Sequence, residues 1–174
     1  LDADFEHRND VLDAALRTMR WAWSGDEVDG VATAPAPAQA GGPPVWIGGN
    51  SKRAIRRAVE LGQGWVPMPS PAAAAGHLRT PGLESVDDLR VRLDHLREQC
   101  AAAGRDPAEL DVCFMPSGLD MFADAAADPA RVLDDITALA AIGVTWATVT
   151  LPADTRHDLL AAIDAFGDDV IARL

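Results

Sequence analysis

The chain has 174 residues, 48% of them hydrophobic, enough for one real core and for one domain or one large piece of a domain. Its formal net charge of −12 and pI near 4.5 argue against nucleic acid, because the cationic stripe that neutralises phosphates is missing, and the acidity reads as solubility. No run approaches the roughly 18 consecutive apolar residues of a membrane span. Cys100 and Cys113 have no metal-ligand spacing and suit a reducing compartment as small core residues, so the expectation is a cytoplasmic protein without metal, nucleic-acid or membrane partners.

In chain order, a helix spans residues 5–24, with Leu12, Ala15, Leu16, Met19 and Trp23 recurring at three- and four-residue steps to form an apolar stripe. Residues 31–44 crowd Pro, Ala and Gly together without any period and read as an extended loop. Val45, Trp46 and Ile47 then make a short buried strand that Gly48 and Gly49 stop. Ser51 opens a helix whose inner face is Ala54, Ile55, Ala58, Val59 and Leu61, and Gly62 closes it. Arg53, Arg56 and Arg57 lie opposite that face and are expected in solvent, as are Arg97 and Arg105.

Gly64 to Met68 form a second strand, followed by a long loop that contains His77. The next helix runs from Ser85 to Ala103: Ser85 with Asp88 three places on resembles a capping box, the inner stripe is Leu89, Leu93, Leu96 and Cys100, and Gly104 and Pro107 end it. Leu110 to Met115 is a third strand. A helix follows from Asp128 to Ile142, capped by Gly143, then a fourth strand from Trp146 to Leu151 and a last helix from Asp154 to Leu174. Short apolar strands alternating with amphipathic helices imply an α/β fold with a parallel sheet, since a crossover helix must return the chain before each new parallel strand. Residues 45–174 thus hold four βα units. A (β/α)8 barrel needs about 250 residues, so four units behind one helix amount to half of one; a small doubly wound domain is the alternative.

The ordered series PPVWIGGNSKRAIRRAVELGQGWVP, AAAGRDPAEL and LAAIGVTWATVTLP resembles the C-terminal half of the bacterial luciferase-like family, flavin- or F420-dependent oxidoreductases built on a (β/α)8 barrel. The likeness covers nearly the whole chain, including the helix that ends LRTMRWAWSGDEV, and with a start at Leu1 rather than Met it implies a partial barrel domain over 1–174. It implies F420 or FMN as cofactor, a small organic substrate, and catalytic acid and base groups from the half that is missing here. The chain alone is then expected to be inactive, and to pair with itself or with a separate N-terminal half. The rival readings are a non-catalytic half-barrel assembly module that covers its open sheet edges by such pairing, and an independent phosphate-binding domain.

The candidate cofactor-binding residues are Gly48, Gly49, Asn50 and Ser51. Two residues without side chains at a strand-to-helix turn let a phosphate approach backbone N–H groups, and those of Gly49, Asn50 and Ser51, with the Ser51 hydroxyl and the positive helix end, are expected to face it. In the family that the chain resembles, the matching glycines and the small residue two places later hold the cofactor phosphate. Among the basic residues only Lys52 lies near enough to reach. His7, His77, His95 and His157 show no ligand spacing. Trp46, Trp65 and Trp146 read as core, and Met115, Pro116, Ser117, Asp120, Pro152, Asp154 and Arg156 follow strands, where barrel active sites gather, without an assigned role.

Overall fold

Helices and short strands alternate through the residues that the computed structural model describes, 5–116, 128–151 and 153–174. They run α1 (Arg8–Ser24), β1 (Trp46–Gly48), α2 (Lys52–Leu61), β2 (Gly64–Val66), α3 (Ala75–Leu78), α4 (Val86–Ala103), β3 (Asp111–Phe114), α5 (Pro129–Ile142), β4 (Trp146–Ala147) and α6 (Arg156–Asp169). The strands form one parallel sheet in the order β1-β2-β3-β4. A doubly wound sheet reverses its strand order at a switch point, and this one does not, so the doubly wound alternative falls and the arc of a singly wound barrel remains.

Local signals set the element ends. Ser85 Oγ accepts from the Asp88 N–H while the Asp88 carboxylate accepts from the Ser85 N–H, the reciprocal box expected from the sequence even with Asp in the Glu position. α6 stops at Asp169 and a 3-10 turn completes the chain, so the last helix is shorter than expected. The paired strands are shorter too. Pro67 has no N–H to extend β2, and β4 pairs only at Trp146 and Ala147, flanked by bonds from the Thr145 N–H to the Val112 carbonyl and from the Thr148 N–H to the Phe114 carbonyl.

The two sheet faces differ. Ile47, Trp65, Val112 and Phe114 point into one core with Ala54, Ile55 and Ala58 of α2 and Leu89, Leu93, Leu96 and Cys100 of α4. Each of these larger side chains contributes about 2 kcal/mol by leaving water. The other face carries Trp46, Asp111 and Trp146 in a row. Trp46 lies over Gly64, where an added Cβ would come 2.6 Å from its ring, and meets Trp146 edge to face at 5.5 Å, while the Trp146 indole donates to Asp111 at 2.9 Å. Trp65 is therefore the core tryptophan that the sequence suggested, but Trp146 is not: it is 54% exposed. Both cysteines are buried, and burial pushes their thiols up.

Three arginines depart from the expected solvated face. Arg57 is only 6% exposed and pairs with Asp13 of α1, which Arg53 also contacts at 2.7 Å. Arg53 reaches Asp10 as well. The two helices thus meet through charge, and Leu12 and Met19 of the expected α1 stripe stay exposed while Leu16 alone is buried. Arg105 folds back so that Nη1 donates to the carbonyls of Val59 at 2.7 Å and Gly62 at 2.9 Å, and Arg20 donates to that of Leu61 at 2.6 Å. Arg56 is exposed as expected, with Glu60 beside it, and Arg97 pairs with Asp94.

Hydrogen bonding from Arg57 holds the Asp13 carboxyl below the usual carboxylate range, against its partial burial and with Arg53 acting in the same sense. Asp13→Ala leaves the Arg57 charge buried without its partner and is expected to cost about 3 kcal/mol in urea unfolding, whereas Arg56→Ala is expected to stay within about 0.5 kcal/mol. Because the folded-state pKa of Asp13 is depressed, its contribution is present above the unfolded-state value of about 4 and is lost as pH falls through the folded one. The acid-side loss of stability should therefore be shallower in Asp13→Ala than in the wild type.

Candidate functional site

The turn from β1 into α2 is held from several sides. Gly49 has φ +113°, a conformation that side chains strain to adopt, and its peptide neighbours are engaged. Its N–H donates to the Val66 carbonyl at 3.1 Å, and its carbonyl accepts from the buried Trp65 indole at 2.9 Å. Gly48 faces the open side of the sheet with exposed backbone, and an added Cβ there would meet nothing nearer than the Val66 carbonyl at 3.9 Å.

Asn50 is 2% exposed and points inward. Its Nδ2 donates to the Met68 carbonyl at 2.7 Å, the Pro81 carbonyl at 2.9 Å and Ser70 Oγ at 3.2 Å, and its Oδ1 accepts from the Met68 N–H at 2.8 Å. The Asn50 N–H donates to Thr80 Oγ1 at 3.2 Å. Ser51 is the N-cap: its Oγ accepts from the Ala54 N–H at 3.1 Å, so its hydroxyl proton stays available. The four candidates thus lie together at one turn, but two of the three N–H groups expected to face an anion, those of Gly49 and Asn50, are committed to protein acceptors. The remaining donors are the N–H and hydroxyl of Ser51 and the first-turn N–H groups of Lys52 and Arg53, which have no carbonyl one turn back to pair with.

The electrostatics favour an anion there. The first turn of α2 carries no acidic residue, as in α5, whereas α1, α4 and α6 each have one or two. The Lys52 ammonium has no ion pair among the described residues, and the positive end of the helix dipole adds to it. A groove of about 250 Å³ runs beside this turn between α2 and α4, with Lys52, Pro81 and Arg92 on its walls. The donor set, backbone N–H groups and a hydroxyl in a helix turn that bears no carboxylate of its own, fits a phosphate.

Sequence reasoning missed Thr80, which arrives from the loop after β2, and the Trp65 indole; neither sits in a local pattern. His77 lies exposed on α3. Asp154 and Arg156 are exposed near the start of α6, and Met115 and Pro116 directly follow β3, while Ser117, Asp120 and Pro152 lie outside the described residues. Among the described residues, no His, Cys, Asp and Glu side chains gather in a group that could hold a metal ion, and no helix is long and apolar enough to cross a membrane.

A family model of luciferase-like monooxygenases matches residues 3–142. The structure is similar to the coenzyme F420-dependent tetrahydromethanopterin reductase of Methanopyrus kandleri, with a TM-score of 0.57 and 17% identity over 95% of this chain and 62% of that one. It is also similar to a long-chain alkane monooxygenase, with a TM-score of 0.60 and 10% identity over 99% of this chain and 58% of that one. At these identities the likeness concerns the fold, and the chain spans about three-fifths of the length of either protein. No curated protein sequence matches the chain.

The different demands on the two glycines are testable. Gly49→Ala forces a side chain into the left-handed region and is expected to lower stability by about 1–3 kcal/mol in thermal or urea unfolding. Gly48→Ala meets no such strain and is expected to stay within about 0.5 kcal/mol of the wild type.

Proposed function

The chain belongs to the luciferase-like monooxygenase family, and from that membership we propose that it is the C-terminal part of a flavin- or F420-dependent oxidoreductase that acts on a small organic substrate by hydride transfer or monooxygenation. The observation that carries the reading is the β1–α2 turn. A glycine with φ +113° presents the N-terminus of α2, with a capping serine and a lysine that has no ion pair among the described residues, where the resemblance puts the cofactor phosphate. Ser51 donates its hydroxyl proton to that phosphate, the N–H groups of Lys52 and Arg53 complete the cradle, and the Lys52 ammonium adds charge. Gly48 keeps the approach from the open side of the sheet clear. When bound, the isoalloxazine or deazaflavin ring supplies the redox centre, and the protein positions it.

The row of half-buried Trp46 and Asp111 and exposed Trp146, with β1 and β4 as edge strands, supports pairing of this half-barrel with the rest of a barrel or with a second copy. Catalytic acid and base groups then come from outside this chain, and the 174 residues alone turn over no substrate.

Ser51→Asp separates stability from binding. An aspartate caps a helix as well as a serine and suits the dipole, yet it places negative charge where the phosphate is proposed to sit. In titrations of FMN and F420 followed by fluorescence, the wild type is expected to bind one of them, Ser51→Asp to bind at least about tenfold more weakly with unchanged unfolding, and Arg56→Ala to bind within about twofold. Equal binding by Ser51→Asp, or loss on Arg56→Ala, would sink the phosphate assignment.

A further inference from the structure

The loop between β2 and α4 is pinned at its base and loosely tied at its tip. Ser70 and Leu83 exchange both backbone hydrogen bonds, at 3.0 and 2.8 Å, and the Ala72 N–H donates to Glu84 at 2.9 Å. Farther out, α3 has no buried residue and ends at Arg79, a non-glycine at φ +50° whose exposed side chain lies at the surface, its guanidinium 4.9 Å over the exposed Phe5 ring. Thr80 follows at once, and its Oγ1 accepts from the Asn50 N–H. A threonine hydroxyl that accepts one bond keeps a proton to donate, and that of Thr80 has no acceptor among the described residues.

We propose that Thr80 is a binding and positioning residue of the anion site: its hydroxyl accepts from the Asn50 N–H and donates to the bound phosphate, so that occupancy of the β1–α2 turn fastens the tip of the loop. The inference rests on the phosphate reading given above. Asn50 makes the coupling direct. Its buried amide already joins the turn to Met68 and Ser70 on one limb of the loop and to Pro81 on the other, so a bond from Thr80 to the ligand closes a ring of contacts through one residue. By linkage, a ligand that binds the fastened loop better also fastens it, and couplings of this kind are typically about fivefold or more.

Trypsin cleavage after Arg79 reads the state of the tip. With saturating FMN or F420, whichever the protein binds, cleavage of the Arg79–Thr80 bond in the wild type is expected to slow at least about fivefold. Thr80→Val keeps the shape and removes the hydroxyl, and it should be cut at a rate that the cofactor changes by less than about twofold, with Thr80→Ser restoring protection. A purely structural threonine would alter the basal rate and leave the protection ratio intact, so protection that persists in Thr80→Val overturns the proposal. Cofactor that binds the wild type without slowing cleavage overturns it as well, and this outcome alone decides if Thr80→Val does not fold. Failure of the wild type to bind either cofactor overturns the functional reading and this inference together, which separates the two failures.

Discussion

The placement of α2 depends on groups that lie outside it. At its C-terminal end, carbonyls that no helical N–H can reach accept from two guanidiniums, Arg20 on α1 and Arg105 after α4. Two positive charges there also oppose the negative end of the dipole. On its flank, Arg57 is buried against Asp13, and on its inner side Ile55 and Ala58 pack into the core. The N-terminal end is fixed by the Gly49 peptide, which β2 holds through Val66 and Trp65. The end of α5 has one such distant contact, from Arg97 to the Ile142 carbonyl, but α2 is held at both ends and on its flank by other elements, and so it is aimed. A helix aimed this way, with its positive end open and its negative end covered by arginine, is what an anion site requires of its scaffold.

The sheet gives that scaffold a direction. Its helix-covered face is dry and closely filled, while the opposite face carries Trp46, Asp111 and Trp146 partly in water. Parallel sheets are ordinarily buried on both faces, and two tryptophans with Val66 and Cys113 on the open side suit burial. The turn that bears Gly48 and Gly49 stands at the C-terminal end of β1, the end at which barrel enzymes gather their chemistry. Fold and site therefore agree: the side composed for a further layer is also the side from which a ligand would reach α2.

Much of this was legible from spacing. The stripe Leu89, Leu93, Leu96 and Cys100, the box at Ser85 and Asp88, and strands broken by paired glycines follow from local geometry, and local geometry is written in short windows of sequence. Less legible was anything whose partner lies far along the chain. A helical wheel puts Arg57 away from Ile55 and so into solvent, unless one knows that α1 brings Asp13 to that flank. Asp10 with Asp13 and Arg53 with Arg57 are complementary pairs at helical spacing, a signal that becomes readable only once the two helices are known to touch. Two glycines before a helix announce close backbone approach, but which N–H groups stay free depends on Val66 and Thr80, and neither is near in sequence.

That last point changes the chemistry assigned to the turn. Had the N–H groups of Gly49 and Asn50 been free, an anion would order the turn on arrival, and part of its affinity would be lost in fixing the backbone. Because Val66 and Trp65 hold the Gly49 peptide and the buried Asn50 side chain is fully bonded, the turn is fixed before a ligand comes, and the donors left over belong to a helix that packing has placed. The invariant element of such a site is the protein's own hydrogen bonding. On the proposed reading the glycines serve the shape of the turn, Asn50 is the buried strut beneath it, and contact with the anion is assigned to Ser51 and the first turn of α2 from one segment and to Thr80 from another.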